Sequence, residues 1–152
     1  MSHTILIADD NPVVREALCK FFEQDDFNVC GEAENGKEAV EKAQQLHPDL
    51  ILPDLSMPVM NGWEAALVLK RIMPEVPVIM YSAYGDSSTE KAARSAGVRA
   101  LVSKSENISV LLGKAHSALE PQKIYEGSDL SPQWSPVGRN IGGYILNQLE
   151  VK

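Results

Sequence analysis

The sequence predicts an α/β fold: a doubly wound, five-stranded parallel sheet of the (βα)5 kind, followed by a C-terminal extension. Two patterns carry that expectation. Short apolar runs alternate with segments of helical period five times between residues 4 and 119, which is how successive βα units read. The clearest of those runs is apolar throughout rather than every second residue, as strands covered on both faces are. With 152 residues, 44% of them hydrophobic and 23% charged, the chain can bury one core of ordinary composition.

The first run, Thr4-Ile-Leu-Ile-Ala8, ends in Asp9-Asp10-Asn11-Pro12. Asp10 or Asn11 can cap a helix there, and Pro12 suits its first turn. Val14, Ala17, Leu18, Phe21 and Phe22 then recur at helical spacing. Residues 28–33 read as the second strand. Asn35-Gly36 opens a second helix with Val40, Ala43 and Leu46 on one face, ended by His47-Pro48. Leu50-Ile-Leu-Pro53 is the third strand, in which Pro53 is awkward because it lacks a ladder donor. Beyond the loop Ser-Met-Pro-Val-Met-Asn-Gly62, the residues Ala65, Val68, Leu69 and Ile72 mark a third helix stopped at Met73-Pro74. Residues 76–80 form the fourth strand. Ser87-Ser-Thr-Glu90 has the form of a capping box for a fourth helix, and Gly97 suits that helix's C-terminal cap. Residues 100–102 are a brief fifth strand, and Ile108, Leu111, Leu112, Ala115 and Leu119 place a fifth helix.

A net charge of −7 with no run of basic residues argues against direct nucleic-acid binding. No apolar run is long enough for a membrane helix, and the first ten residues do not read as a signal peptide. Cys19 and Cys30 are isolated and read as small buried or half-buried residues. His3, His47 and His116 lack metal-ligand spacing. A cytoplasmic location is expected.

Open parallel sheets build their sites at the carboxyl ends of the strands. Asp9 and Asp10 follow the first strand, Asp54 the third, Ser82 the fourth and Lys104 the fifth. Any one of these aspartates alone reads as a cap or turn former. Five such residues at four strand ends describe one site. Three converging carboxylates repel one another and call for a cation; an all-oxygen set suits Mg²⁺ or Mn²⁺. Lys104 and Ser82 would complement phosphoryl oxygens, and a carboxylate such as Asp54 can act as a nucleophile toward phosphorus.

Together, Ile5-Leu-Ile-Ala-Asp-Asp10, Pro53-Asp-Leu-Ser-Met-Pro58 with Gly62, Val78-Ile-Met-Tyr-Ser-Ala83, and Ala96-Gly97 with Lys104 resemble the receiver domain of bacterial response regulators, over residues 3–119. The resemblance implies a flavodoxin-like fold with Asp54 as phosphoacceptor. It implies Asp10 as a direct metal ligand, Asp9 acting through water or by orientation, and the Ser56 carbonyl as a further ligand. Ser82 and Ala83 stand at the phosphoryl-binding switch position and Lys104 at the family's lysine. A histidine kinase or phosphotransfer protein would be the phosphodonor. The protein would be a two-component signalling switch with slow self-catalysed dephosphorylation, and no enzyme acting on other substrates. Ser56 and Tyr84 occupy the positions that tune dephosphorylation; Tyr84 reads either as a shield of the phosphoryl group from water or as an exposed loop residue.

Two positions depart from the family pattern. Leu101 stands where the family usually has Tyr or Phe, which puts the aromatic part of the switch in doubt. Ser105 follows the lysine where Pro with a cis bond is common, so a trans bond is expected. A phosphatase of the haloacid-dehalogenase kind would need an acid two residues after its nucleophile, and Ser56 cannot supply one. A degenerate receiver that binds a partner without phosphorylation is the alternative, favoured by Leu101 and opposed by the five intact site positions. The receiver is expected at residues 1–119 and an extension without a recognisable output domain at residues 120–152. Tyr125, Trp134, Tyr144, Ile145, Leu146 and Leu149 make that extension too apolar for a purely solvated linker. Output, to a partner or a second copy, is expected on the surface of the fourth helix, fifth strand and fifth helix.

Overall fold

The computed structural model describes residues 2–83 and 87–120. Five strands and five helices alternate along them: β1 (His3–Ala8), α1 (Pro12–Gln24), β2 (Phe27–Ala33), α2 (Gly36–Leu46), β3 (Leu50–Pro53), α3 (Gly62–Ile72), β4 (Ile79–Ser82), α4 (Ser87–Ser95), β5 (Ala100–Ser103) and α5 (Ile108–Leu119). All pairing is parallel, in the order β2-β1-β3 and β4-β5, and the two groups are joined by isolated bridges from Ile51 to Val78 and from Asp54 to Tyr81. The expected sheet is present.

Pro53 explains why β3 and β4 pair only at bridges. The Ile51 N–H donates to the Pro77 carbonyl (3.1 Å) and the Leu55 N–H to the Tyr81 carbonyl (3.3 Å), whereas the Asp54 N–H donates to Ala8 on the opposite side (2.8 Å). Donors alternate along a strand, so residue 53 faces β4, and there proline offers none. The missing bond falls between the two bridges. Pairing to β1 stays intact through Ala8 and Pro53.

Alternation along the strands divides the core between the two faces of the sheet. Ile5, Ile7, Leu50, Leu52, Ile79, Tyr81 and Val102 pack with Leu18, Cys19 and Phe22 of α1 and Leu111, Ala115 and Ala118 of α5. Leu6, Ile51, Val78 and Met80 pack on the other face with Ala43 of α2, Ala66 and Leu69 of α3, and Ala93 of α4. Helices therefore cover both faces, which is why the strands are apolar on both sides.

Asn11, rather than Asp10, caps α1, accepting from the Val13 and Val14 N–H groups at 3.0 and 3.3 Å, with Pro12 at the first helical position. Asn35 caps α2 and His47 ends it in the left-handed region at φ 49°. Asn61 and Glu64 form a full capping box on α3, which was not anticipated. Gly97, at φ +87°, closes the chain after α4 as expected. The side chains of Ser87 and Ser88, half of the expected box on α4, lie outside the described residues.

Several expectations about faces and ends are corrected. Ala17 is exposed, and Leu46 and Ile72 are each 41% exposed; each lies a step off the stripe facing the sheet, which small residues such as Ala39, Ala65 and Ala66 fill instead. Strand β4 begins at Ile79 rather than Val76, because the Val76 N–H closes the turn after α3 onto the Met73 carbonyl (3.1 Å). Strand β2 starts one residue early at Phe27, whose ring packs edge-on against Phe22. Cys19 is buried and Cys30 half-buried, both free, as expected. Burial and the nearby Glu32 charge push the Cys19 thiol up to about 11, so it is inert at neutral pH. No peptide bond among the described residues is cis, so Ser105 follows Lys104 through a trans bond. Among the same residues no helix is long and apolar enough to cross a membrane. Helix α5 ends at Leu119 with Glu120 as its C-terminal cap. From residue 121 onward the expected extension lies outside the described residues.

Candidate functional site

Parallel strands leave their last carbonyls and the side chains that follow at one edge, and here β1, β3, β4 and β5 all end there. Asp9, buried to 1% exposure, is held from several directions. Its N–H donates to the Ala33 carbonyl (3.0 Å), its Oδ1 accepts from the Asn11 N–H (2.9 Å), and its carbonyl accepts from Arg15 Nη1 (2.6 Å). Arg15 Nε in turn donates to Glu32 at 2.9 Å, clamping α1, β2 and the β1–α1 turn together. Asp10 is exposed and lines an open cleft of about 690 Å³ with Leu55, Ser56, Met57, Pro58, Asn61 and Trp63.

Asp54, 7% exposed, follows β3, whose last residue is Pro53. One oxygen from each of Asp9, Asp10 and Asp54 lies within 4.8 Å of the others. Lys104 reaches in from the end of β5, its Nζ 3.2 Å from both Asp9 Oδ2 and Asp54 Oδ2. The lysine's place is fixed by pairing, since its backbone N–H donates to the Ser82 carbonyl at 2.6 Å. Ser82 is fully buried at the end of β4. Thus Asp9, Asp10, Asp54, Ser82 and Lys104 do converge on one edge.

Three carboxylates against one ammonium leave two negative charges without a partner in this cluster. Burial raises the Asp54 carboxyl above its ordinary value; the Asp9 charge adds to this, while Lys104 and the Ser56 N–H work against it. Burial alone would lower the Lys104 ammonium, but Asp54 and Asp9 outweigh it and the net shift is upward. These directions agree, because one cation serves two anions. A hard divalent cation is the ligand such an all-oxygen, doubly negative set fits.

The other expected positions are partly in place. Ser56 is exposed on the cleft wall beside Asp10. Ala83 is exposed immediately after β4, and Tyr84 lies outside the described residues. Leu101 is half-buried in the core on the α3–α4 face and lines a groove of about 210 Å³ with Glu90, Ser103, Glu106, Val110 and Lys114.

The β3–α3 loop is pinned at both ends. The Gly62 N–H donates to the Leu55 carbonyl (2.9 Å) and the Gly36 N–H to the Met60 carbonyl (2.7 Å). Within it the Met60 N–H bonds back to the Pro58 carbonyl (2.7 Å), a tight turn that holds Val59 at φ 68°, strained for a β-branched residue. A side-chain carbon at Gly62 would collide with the Asp54 carbonyl oxygen. Gly62→Ala is therefore expected to destabilise the protein by about 2 kcal/mol or more and to displace the Asp54 backbone. Denaturant unfolding checks the first effect and metal titration the second; an unchanged midpoint would mean the loop yields freely.

The receiver domain of response regulators, as a family, matches residues 5–116. The chain belongs to that family. It is 32% identical over 127 residues to the response regulator protein VraR of Staphylococcus epidermidis, covering 83% of this receiver chain and 61% of VraR. The chain spans 56% to 61% of the length of the first curated relatives it matches. Among solved structures, it superposes on the response regulator domain of Thermotoga maritima CheB with a TM-score of 0.72 at 31% identity, covering 81% of this chain and all of that one. It superposes on a CheX–CheY–BeF3–Mg complex from Borrelia burgdorferi at 0.75 and 26%, covering 78% of this chain and 90% of that one. The fold, the response regulator receiver domain and its phosphorylation-based signalling class follow. A DNA-binding LuxR-family regulator from Staphylococcus aureus shares the receiver fold at 22% identity, which speaks to the fold alone.

Sequence reasoning assigned neither Arg15 nor Tyr81 to the site. The Arg15 contact is to a main-chain carbonyl, which has no sequence signal. The Tyr81 ring lies 5.6 Å from Lys104 Nζ, a proximity that only the β4–β5 register creates.

Proposed function

We propose that this receiver accepts a phosphoryl group on Asp54 from a phosphohistidine of a sensor histidine kinase or phosphotransfer protein, and that it works as a phosphorylation-controlled interaction switch. The observation that carries the reading is a buried Asp54 carboxylate with Lys104 Nζ 3.2 Å away and an oxygen of each of Asp9 and Asp10 within 4.8 Å. An oxygen of Asp54 forms the new bond to phosphorus as the donor's N–P bond breaks, and the electron pair leaves with the imidazole. Lys104, already 3.2 Å from Asp54, is placed to follow charge onto the phosphoryl oxygens, and Ser82 contributes its hydroxyl from β4.

Asp9, Asp10, Asp54 and the Ser56 carbonyl would hold Mg²⁺ or Mn²⁺, which neutralises charge on the transferring group. Water attack on phosphorus would later release inorganic phosphate and restore the carboxylate. In this reading the protein is no enzyme toward other substrates. Ser56 and Tyr84 are assigned the tuning of that hydrolysis. Output is assigned to the surface of α4, β5 and α5, where the groove beside Leu101 could take a protein partner or a second copy. A cytoplasmic location and an absence of direct nucleic-acid contact by the receiver belong to the same reading, the latter supported by the net charge of −7.

Acetyl phosphate with Mg²⁺ is expected to add one phosphoryl group, read by intact mass, and chelation of the metal is expected to abolish it. A folded, metal-bound protein that takes up none would instead support a phosphorylation-independent binding module, the reading that Leu101 favours.

A further inference from the structure

Tyr81 touches the site from the face of β4 opposite Ser82. Neighbouring residues of a strand point to opposite faces, so the two divide the end of β4 between them. Tyr81 pairs with Val102, two residues before Lys104, and its carbonyl accepts the Leu55 N–H next to Asp54. One residue thus contacts both strands that carry the phosphoryl chemistry. Tyr81 is 8% exposed and belongs to the core cluster that holds Ile5, Ile7 and Leu111. The Lys104 ammonium lies 5.6 Å from the ring centroid, within the range where the negative face of an aromatic ring attracts a cation. The lysine side chain is still 26% exposed, and a four-carbon stem is flexible unless something holds it.

We propose that Tyr81 is a positioning residue for Lys104: its ring holds the ammonium where it serves Asp9 and Asp54 at once. The inference rests on the reading of Asp54 as phosphoacceptor for its effect on rate, though not for the contact itself. Leu101 supplies no ring on the opposite face, so Tyr81 is the aromatic side chain that the described residues bring to this lysine. The interaction needs the ring and not the hydroxyl, so Phe should replace Tyr and an aliphatic residue should not.

The test uses the full chain. Ring current from Tyr81 is expected to move the Lys104 ε-methylene protons upfield in the NMR spectrum, with Lys104→Met identifying the resonance. The shift should persist in Tyr81→Phe and vanish in Tyr81→Leu. With saturating Mg²⁺ and acetyl phosphate, Tyr81→Phe should be phosphorylated at the parental rate and Tyr81→Leu about five- to tenfold more slowly, while Mg²⁺ affinity stays within about twofold. An ordinary ε-methylene position in the unmodified protein overturns the proposal without any variant having to fold. So does Tyr81→Leu at the parental rate, or Tyr81→Phe as slow as Tyr81→Leu. Should the unmodified protein take up no phosphoryl group, the Asp54 reading fails while the ring-current shift still decides whether Tyr81 holds Lys104.

Discussion

Asp54→Asn is expected to take up no phosphoryl group from acetyl phosphate and Mg²⁺, and to be more stable than the parent in metal-free buffer at neutral pH. The first effect follows from removing the nucleophilic carboxylate. The second follows from electrostatics. Burial and the Asp9 charge raise the folded-state pKa of Asp54 above its ordinary 3.8, so the folded protein binds that proton more tightly than the unfolded chain does. Stability therefore falls as pH rises from the ordinary value through the raised one, and the full penalty applies above it. Asparagine carries no such charge. The gain should be largest near pH 7 and should shrink toward zero below the ordinary carboxyl pKa. Urea unfolding of both proteins from about pH 3 to about pH 8, with chelator present, measures the difference directly and cancels the titrating groups remote from Asp54. A variant less stable than the parent across that range would mean that the ion pair with Lys104 outweighs burial. A phosphoryl adduct on the variant would place the acceptor elsewhere.

Lys104→Met should act in the opposite sense. It leaves Asp9 and Asp54, 1% and 7% exposed, without the ammonium that lies 3.2 Å from each. Removing one partner of a buried pair is severe because the remaining charge stays desolvated. Two carboxylates are stranded here, while the partial exposure of the lysine moderates the effect, so a loss of about 2–3 kcal/mol at neutral pH is expected. Mg²⁺ should restore most of it, because a divalent cation fills the same need for positive charge. The variant's thermal midpoint should accordingly rise more on adding Mg²⁺ than the parent's does. Phosphoryl transfer should still slow by about 100-fold even with Mg²⁺ saturating, because a preorganised charge is missing from the reacting group. Equal midpoints for the two proteins without metal would show that the ammonium contributes nothing to the resting site. An unchanged transfer rate would remove Lys104 from the phosphoryl-binding set.

The chemistry of the site was legible because strand ends can be read directly. Asp9, Asp10, Asp54, Ser82 and Lys104 each follow an apolar run, and a parallel sheet gathers such positions at one edge without any knowledge of packing. Helix starts were nearly as clear where Asn stands before Pro or Gly, as at Asn11 and Asn35. The inner faces of the helices were less so. Ala17, Leu46 and Ile72 satisfy helical spacing, yet each is exposed. An apolar stripe is wider than the contact that the sheet offers, and only the docking angle selects which of its residues are buried.

What the sequence determined by itself is the order of βα units, the doubly covered sheet and the identity of the charged cluster. All three depend on local period and on residue type, which are properties of the chain. Tertiary structure alone decided the rest. It set the break in the β3–β4 ladder, because Pro53 matters only once its missing donor is known to face β4. It set the clamp of Arg15 on the Asp9 carbonyl, since a backbone acceptor has no letter in the sequence. And it brought the ring of Tyr81 to Lys104, because residues 23 positions apart meet through strand register, a relation between segments that neither segment encodes alone.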